Sequence, residues 1–420
     1  MSAAWAFLIV GCVRGLGEPV SEVPGDLLSV SESSSGRLLF LNPIDGRYRG
    51  ELCLSELFPE VCVQDDPDFA PCLIFSTAHA FESGQSTFQI TYSIRDTEVG
   101  HSPAGIISIT PEHPPQVRWQ LDALSFPAGT EEAELCSSPT SSMCFLNGTH
   151  IIEEDEDGVL VAADTNNSRV LWIEPGADTT GTVTAILGPN HSDWADWRNV
   201  NHLQILREGD RVYLLTTFKA RFLGSEGLSD QGQLVMWDVT DRSSPERLWA
   251  WPEGGYLAAV HHGIVQDTSL GPMLIYAHSL GASDDPDQGL SGSVGFARYN
   301  GPQTPPTYLA DGLLPAGEQA LGFVREAEVF QPGDWLLVTD SGCENPSADC
   351  SMRGRLLSIR LPDLSPAEQS GSHGDQRFID LEVIPDARRH ELVFPYEADL
   401  FYSDEVDPAV LEGIGACPAE

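Results

Sequence analysis

A two-strand unit that begins with polar residues recurs four times along this chain. In each copy, an apolar strand pattern is followed by a short polar turn and a second apolar strand pattern, as in a hairpin with buried faces. The copies begin at His150, Asn201, His261 and Arg325. This spacing of about 50 to 65 residues is typical of propeller blades and other repeat arrays. Such a repeat places polar, titratable side chains at the same point of each unit, and there they form a ring.

A second recurring unit follows each strand pair and starts at a glycine or a serine. Its copies begin at Gly36, Gly105, Ser168, Gly232, Gly292 and Gly354. Joining the two units gives four strands, which is the composition of one propeller blade. Complete blades are predicted over residues 72–123, 145–188, 201–252, 261–311 and 323–384.

The unit at residues 36–52 has no strand pair before it. The segment from Glu391 to Tyr402 carries strand patterns that would supply this pair and complete a sixth blade. Pairing of the two chain ends would also remove the free edges of the ring. The sequence therefore predicts an all-β fold, a six-bladed β-propeller of four-stranded blades over residues 36–420, closed by its N- and C-terminal strands. If one unit is assigned wrongly, the number of blades becomes five or seven. A β-sandwich is the alternative fold, but it does not explain the repeat.

The composition suits a chain of many short strands that does not bind nucleic acid. The 420 residues include 39 glycines and 30 prolines, as expected where many turns join strands. The formal net charge is −41, and Lys219 is the only lysine. Nucleic acid is excluded as a partner, because phosphate binding needs a basic surface. The single lysine also argues against Schiff-base chemistry.

The N-terminus has the features of an export signal. Residues 3–10 form an apolar segment that is too short to span a bilayer. The following Ile9-Val-Gly-Cys12 resembles the lipobox of bacterial lipoproteins. This resemblance implies a signal peptide over residues 1–11 and lipidation of Cys12 as a membrane anchor. Residues 13–35 have the composition of a flexible tether. The implied location is the outer membrane or cell surface of a bacterium. A plain secretory signal is the alternative, and it implies a periplasmic or secreted protein.

Eight cysteines remain when Cys12 is set aside, and an even number is typical of exported proteins with disulfides. Two predicted pairs, Cys136–Cys144 and Cys343–Cys350, are close in sequence within polar segments. A third predicted pair is Cys53–Cys62, and Cys72–Cys417 then follows by elimination. No Cys-x2-Cys spacing supports a zinc site instead.

The residues from His150 to Gly188 carry a family resemblance. Asp157-Gly-Val-Leu-Val-Ala-Ala-Asp-Thr-Asn-Asn-Ser-Arg-Val-Leu-Trp-Ile resembles an NHL-type propeller blade. With His150 ahead and Gly181-Thr-Val-Thr-Ala-Ile-Leu-Gly behind, the segment is similar to the arylsulfotransferase-like propellers. The resemblance covers about residues 145–265 and is thin elsewhere. It implies transfer of a sulfuryl group between phenols through a histidine in the central channel.

The resemblance assigns roles to polar residues at matching positions. His202 and His262 match the channel histidines that act as nucleophile or hold the sulfate. The ring histidine, the amide and the guanidinium of the family correspond to His150, to Asn201, and to Arg221 or Arg325. These groups suit the chemistry, because a neutral imidazole is a nucleophile near neutral pH, and guanidinium and amide donors bind tetrahedral oxyanions. The alternative is that the histidines cap strands. His261 and His262 are adjacent, so their side chains are expected on opposite strand faces.

The chain departs from the family pattern at two places. The family's His-x-Asn order is reversed in Asn201-His202, and the fourth unit carries Glu326 and Glu328, whose charge would repel sulfate. These two glutamates are predicted to bind a ligand in the channel. Together with His202 and His262 they suit a transition metal, but no local motif supports one, and no metal or other cofactor is predicted. A divalent cation such as calcium is an alternative at the acidic clusters 65–68, 153–157 and 284–287, where solvated loops are favoured.

Two functions follow from these observations. The first is an exported, lipid-anchored propeller that binds a ligand or a protein partner through its central channel or loop face. The second is an arylsulfotransferase-like enzyme that uses a channel histidine. Propellers support many unrelated functions, so the first and more general function is preferred.

Overall fold

The computed structural model describes nineteen segments of the chain, and every regular element within them is a β-strand. The described residues are 27–32, 36–41, 48–53, 72–82, 85–94, 103–110, 116–121, 123–126, 146–155, 158–176, 180–194, 196–223, 227–280, 291–310, 321–330, 335–342, 354–360, 376–378 and 395–401. They include no helix that is long and apolar enough to cross a membrane. The prediction of an all-β fold is confirmed.

The first three strand groups occupy the N-terminal half. The first group is β1 (Leu27–Glu32), β2 (Arg37–Leu41) and β3 (Tyr48–Cys53). The second is β4 (Cys72–Glu82), β5 (Gln85–Ile94), β6 (Pro103–Thr110) and β7 (Gln116–Leu121). Two short strands follow, β8 (Ala123–Ser125) and β9 (Leu146–Asn147). The third group is β10 (Ile151–Glu154), β11 (Leu160–Asp164), β12 (Arg169–Glu174) and β13 (Thr180–Leu187).

The remaining strands repeat the same pattern. The fourth group is β14 (Trp197–Glu208), β15 (Arg211–Phe222), β16 (Leu228–Ser229), β17 (Gln231–Asp238), β18 (Glu246–Trp251) and β19 (Leu257–Ala258). The fifth is β20 (His262–Thr268), β21 (Gly271–Leu280), β22 (Ser291–Arg298) and β23 (Thr307–Ala310). The sixth is β24 (Val324–Phe330), β25 (Trp335–Asp340), β26 (Arg355–Arg360) and β27 (Gln376–Phe378). The last strand is β28 (Pro395–Phe401).

These strands form six sheets in the described part of the chain, and each sheet has a path of four antiparallel strands. Five paths follow chain order, for example β10-β11-β12-β13 and β20-β21-β22-β23. The sixth path is β28-β1-β2-β3, in which the last strand pairs with the first. Short strands extend three of the sheets: β8 pairs with β13, β9 with β6, and β16 and β19 with β15 and β17.

Neighbouring sheets pack face to face and share their hydrophobic cores. In β11 every residue is buried, and successive side chains enter different cores because strand side chains alternate between faces. Leu160 packs in the core shared with the β4–β7 sheet, whereas Val161 packs against Phe218 and Trp237 of the β14–β18 sheet. Sheets that are buried on both faces in this way stack around an axis, which is the propeller arrangement.

The first strands of the sheets lie side by side. β10 contacts β4 and β14, and β20 contacts β14 and β24. β28, the first strand of its own path, contacts β24 and β4. The first strands of the six sheets therefore lie next to one another.

Side chains from one first strand bind the backbone of the next. Glu153 accepts a hydrogen bond of 2.7 Å from the Ile205 N–H. Gln204 bonds both the N–H and the carbonyl of Val265, at 2.7 and 3.0 Å. Gln266 accepts a bond of 2.6 Å from the Val329 N–H. These bridges fix the positions of β10, β14, β20 and β24 relative to one another.

The structure corrects the predicted extent of the tether. Residues 12–35 were expected to be flexible, but β1 begins at Leu27 and pairs with both β2 and β28. The physical reason is the burial of Leu28 and Val30, whose alternation is that of a strand with a buried face. The C-terminal segment consequently supplies one strand of this sheet, β28, where the sequence analysis expected two.

Candidate functional site

Seven polar side chains of the described residues line one cavity where the first strands meet. They are His150, Asn201, His202, His261, His262, Arg325 and Glu326. The residues come from four consecutive sheets, near the starts of β10, β20 and β24 and at the fifth and sixth residues of β14. The volume of the cavity is about 20 Å³, which is room for roughly one or two water-sized groups. The predicted ring of polar groups therefore exists in this part of the fold.

Irregular strand pairing explains why adjacent residues face the same cavity. The register of β14 against β15 shifts between Val200 and His202, which leaves Asn201 without an opposite residue. The register of β24 against β25 shifts in the same way between Val324 and Glu326, around Arg325. A bulge of this kind redirects a side chain that would otherwise point to the opposite face.

The same end of the fifth sheet brings His261 and His262 together. His261 precedes β20, and its N–H donates to the carbonyl of Ala277 at 3.0 Å. Both histidines are buried and both line the cavity. The expectation that their side chains lie on opposite faces was wrong, because strict alternation begins only where the regular strand does.

One part of the cavity is a hydrogen-bonded group around His261. The Asn201 side-chain amide donates to His261 Nδ1 at 2.7 Å, and Arg325 Nη1 lies 3.5 Å from the same nitrogen. Since both neighbours are donors, Nδ1 is an acceptor and the ring proton lies on Nε2. The Arg325 guanidinium is fixed by a 3.1 Å bond from Nε to Ser341 Oγ and lies 4.4 Å from the Phe323 ring centroid.

The other part of the cavity joins two imidazoles and a carboxylate. The ring centroids of His202 and His262 are 4.0 Å apart, with an angle of 63° between the rings. His262 Nε2 lies 3.6 Å from Glu326 Oε1, which is longer than a hydrogen bond. Glu326 is therefore placed to attract a proton on His262, and it lowers the affinity of this part for an anion.

All four histidines of the cavity are neutral near neutral pH. Burial lowers the pKa of His202 to about 3, and a hydrogen bond with the backbone of Gly263 opposes the shift only in part. Burial also holds the pKa of His262 well below its ordinary value, with a smaller effect of His202. The pKa values of His150 and His261 are lowered first by burial and then by the positive charges of Arg325 and Lys219.

Several buried atoms of this site have no hydrogen-bond partner among the described residues. They are His202 Nδ1, His261 Nε2, both ring nitrogens of His262 and Asn201 Oδ1. An unpaired buried polar group costs about 1–3 kcal/mol, so native proteins usually pair such groups or leave them for a ligand or water. Their concentration around one cavity marks a site that is built to bind something.

Two predicted ligand residues do not join the cavity. Arg221 lies on β15 with a side chain that is 43% exposed, and its nearest carboxylate is Asp196 at 4.0 Å. Arg325, the alternative guanidinium, is the one that the structure places at the site. Glu328 is two residues beyond Glu326 and does not line the cavity. Its place in the unit is that of Glu153, Gln204 and Gln266, which bridge neighbouring strands.

The structure gives no support to a metal at this site. No three His, Cys, Asp or Glu side chains in the described segments are arranged to hold a metal ion. Of the acidic clusters, residues 65–68 and 284–287 lie outside the described residues. In the remaining cluster, Asp155 forms ion pairs with Arg207 and Arg242.

The cysteine predictions lie outside the part of the chain that the structure describes. This holds for Cys12 and for Cys62, Cys136, Cys144, Cys343, Cys350 and Cys417, as well as for the side chains of Cys53 and Cys72. The predicted lipidation and the predicted disulfides remain predictions.

Sequence reasoning assigned no role in the site to Lys219 or Phe323. The Phe323 ring centroid lies 4.7 Å from that of His261 and 4.4 Å from the Arg325 guanidinium. Lys219 Nζ lies 6.0 Å from the same Phe323 ring. The one available signal was that a chain of 420 residues keeps a single lysine.

Solved structures with a similar arrangement are remote from this chain. A periplasmic gluconolactonase from Pseudomonas aeruginosa is 13% identical, with 90% of this chain and 99% of that chain covered and a TM-score of 0.46. A hypothetical selenium-binding protein from Sulfolobus tokodaii is 11% identical, with 84% and 90% covered and a TM-score of 0.45. A Bacteroides caccae protein of unknown function is 14% identical, with 80% and 90% covered and a TM-score of 0.41. These likenesses say nothing about the chemistry of the cavity.

No family model matches the chain, and no curated protein matches it. The resemblance to the arylsulfotransferase-like and NHL-type propellers therefore has no support beyond the motifs themselves. The fold and the site define a β-propeller with a polar cavity where its first strands meet.

The buried neutral histidines predict a loss of stability in acid. Above about pH 6.5, His202 is neutral in both the folded and the unfolded chain. Below that pH the unfolded chain takes up a proton that the folded chain accepts only near pH 3, so stability falls as the pH is lowered through this interval. At pH 5.0, one such histidine lowers the free energy of unfolding by about 2 kcal/mol relative to pH 7.5.

We expect His202→Gln to lose about 2 kcal/mol less than the wild type between pH 7.5 and pH 5.0, because glutamine does not titrate. Urea unfolding followed by tryptophan fluorescence at the two pH values measures this difference. Equal losses in the two proteins would show that His202 is protonated in the folded state already at pH 5.0.

Proposed function

We propose that this protein binds a small ligand through an oxyanion group in the cavity formed by the first strands. The observation that carries the proposal is the convergence of Arg325, Asn201 and neutral histidines on one buried cavity. Guanidinium, amide and imidazole N–H groups are the donors that proteins use for carboxylate and sulfur or phosphorus oxyanions. The small volume of the cavity means that it takes the charged end of a ligand and not the whole of a large one.

The unpartnered atoms support binding by hydrogen bonds. His261 accepts at Nδ1 from Asn201, so its Nε2 carries a proton and has no acceptor among the described residues. An oxyanion at this point would receive one bond from His261 and one from Arg325. Binding would thereby satisfy a buried donor, which a purely structural role leaves unsatisfied.

We expect Arg325→Gln to weaken the binding of methanesulfonate, a small singly charged oxyanion, by roughly ten- to a hundredfold. A hydrogen bond to a charged group contributes about 1.5–3 kcal/mol, which corresponds to this loss. Isothermal titration calorimetry in chloride-free buffer measures the change. Arg211→Gln is the matched control, because it removes the same charge from an exposed pair with Asp238. Unaltered binding by the Arg325 variant, or no binding by the wild type, would disprove the proposal.

A second function is favoured by the state of His202. The backbone of Gly263 takes part in one hydrogen bond of this ring, and Nδ1 is buried without a partner in the described segments. A neutral imidazole held at one nitrogen has its other nitrogen free to attack an electrophile. This is the requirement for sulfuryl transfer, in which the imidazole attacks sulfur, a phenolate leaves, and a second phenol then takes the sulfuryl group from the histidine.

If the protein is such an enzyme, it should release nitrophenolate from 4-nitrophenyl sulfate when phenol is supplied as acceptor. His202→Ala and His262→Ala should each reduce the rate at least a hundredfold, because each removes a nitrogen at the reacting position. Absorbance at neutral pH follows the product, and Arg211→Gln serves again as the control. No turnover by the wild type removes the enzyme and leaves the binding function intact.

We also propose that the strands form a closed ring of six blades. The support is that the described strands form six sheets, that β28 pairs with β1, and that the first strands contact one another in a continuous cycle. Such closure leaves no free sheet edge at the chain termini.

We further propose that the propeller is exported and held on a bacterial membrane through Cys12. The support is the lipobox-like Ile9-Val-Gly-Cys12 after a short apolar segment. Expressed in a bacterium, the wild type should partition into the detergent phase of Triton X-114, because a diacylated cysteine buries its acyl chains there. Cys12→Ser should move to the aqueous phase. Equal partitioning of the two proteins would contradict a lipid anchor.

A further inference from the structure

The lining of the cavity contains hydrogen-bond acceptors as well as donors that lack a partner. His261 is a donor at Nε2, because its Nδ1 accepts from the side-chain amide of Asn201. That bond uses the amide nitrogen of Asn201 and leaves its Oδ1, an acceptor, buried without a partner among the described residues. An oxyanion has no hydrogen to donate, so it cannot satisfy this oxygen.

His202 provides a second acceptor. Its ring bonds the backbone of Gly263, and the ring is the donor in this bond, because the bond opposes the fall in the pKa of His202. Nδ1 has no partner in the described segments, so the proton lies on Nε2 and Nδ1 keeps its lone pair. Burial lowers the pKa of His202 to about 3, so Nδ1 remains an acceptor at neutral pH.

His262 provides one group of each kind. Both of its ring nitrogens are buried without a hydrogen-bond partner in the described part of the chain. Burial holds the pKa of His262 well below its ordinary value, so the ring is neutral and has one N–H and one lone pair, whichever nitrogen carries the proton. Its ring centroid lies 4.0 Å from that of His202, so a donor and an acceptor lie close together in this part of the cavity.

We propose that the ligand is an oxyanion that carries a hydroxyl group on the adjacent carbon, as in a 2-hydroxycarboxylate. This inference rests on the proposed function and names the ligand class of the same site. The oxyanion binds at Arg325 and His261. The hydroxyl group donates to His202 Nδ1 and accepts from the N–H of His262, which suits a hydroxyl because it donates and accepts at once. The cavity has room for roughly one or two water-sized groups, so the hydroxyl must lie next to the oxyanion.

A ligand without a donor fits this lining poorly. A bare oxyanion brings only lone pairs to Asn201 Oδ1 and His202 Nδ1, and it leaves both acceptors buried and unpaired. A site that is built to hydrogen-bond a hydroxyl group of its ligand rejects the analogue that lacks this group. The site should therefore distinguish a hydroxylated anion from the matching anion without a hydroxyl.

Three small carboxylates test the ligand class on the wild type. Glycolate, acetate and methoxyacetate are titrated by calorimetry in chloride-free buffer at pH 7.5, where all three are ionised. Acetate lacks the hydroxyl group, whereas methoxyacetate keeps its oxygen and lacks its hydrogen. We expect glycolate to bind at least roughly tenfold more tightly than either analogue. Size does not explain such a preference, because acetate is smaller than glycolate and methoxyacetate is larger.

Two variants test the two parts of the cavity separately. His202→Phe keeps a ring and removes the acceptor, so its affinity for glycolate should fall roughly tenfold while its affinity for acetate stays within about threefold. Arg325→Gln removes a contact to the oxyanion and should weaken glycolate and acetate by the same factor. His191→Phe is the matched control, because His191 Nε2 also contacts a backbone carbonyl, that of Pro245 at 3.0 Å, but does not line the cavity.

The outcomes separate this inference from the proposed function. If acetate binds as tightly as glycolate and Arg325→Gln weakens both, the oxyanion site stands and the hydroxyl group is wrong. Equal binding of methoxyacetate and glycolate would show that the ligand oxygen only accepts, which overturns the inference. A folded His202→Phe variant that keeps the preference for glycolate would overturn the role of His202. If the wild type binds neither these carboxylates nor methanesulfonate, the proposed function itself fails.

Discussion

The side-by-side packing of the first strands is the constraint on which the rest of this structure depends. No backbone ladder joins the first strands of neighbouring sheets among the described residues, so side chains hold these strands together. Glu153, Gln204 and Gln266 do this by bonding the backbone of the next strand at 2.6 to 3.0 Å. Each bridge satisfies a partly buried backbone group of the neighbouring strand. The cavity residues lie two to five positions before these bridging residues in the chain, so the bridges fix strands that carry the site.

Bulges then convert this frame into a site. A regular strand offers the cavity every second side chain, which would give one polar residue per blade. The register shifts at Asn201 and Arg325 add a second residue at two blades, and the irregular start of β20 does so at His261. The residues added in this way are an amide, a guanidinium and the imidazole that joins them. The regular positions contribute His202, His262 and Glu326. The donor-rich and carboxylate-bearing parts of the cavity therefore have different structural origins.

The repeat made the fold class and much of the site predictable. Apolar alternation identified the strands, and the recurrence of polar residues at their starts identified His150, Asn201, His202, His262, Arg325 and Glu326 as neighbours. The bulges were not predictable, since one inserted residue leaves the apolar pattern almost unchanged and yet decides which face a side chain takes. For this reason the pair His261–His262 was misjudged. Arg221 and Arg325 could not be separated either, because the difference lies in which strand reaches the axis. Glu328 occupies the position in the repeat at which Glu153, Gln204 and Gln266 bond the neighbouring strand. The sequence alone does not distinguish a residue that bonds a neighbouring strand from one that binds a ligand.

The polar lining of the cavity is a source of instability in an otherwise well-packed fold. Cores on both sides of the sheets are filled with aliphatic and aromatic side chains, and the tryptophans Trp172, Trp194 and Trp237 are almost fully buried. Against this background, several imidazole nitrogens and an amide oxygen lack partners within the described residues. Replacing these residues with apolar ones of similar size would remove the unpaired groups and would be expected to stabilise the fold. A set of buried polar groups that weakens the fold and converges on one cavity is expected where binding, and not folding, determines the residue types. A negative charge on Glu326, whose carboxylate lies 3.6 Å from His262 Nε2, opposes an anion at that end of the cavity and in this way discriminates among ligands.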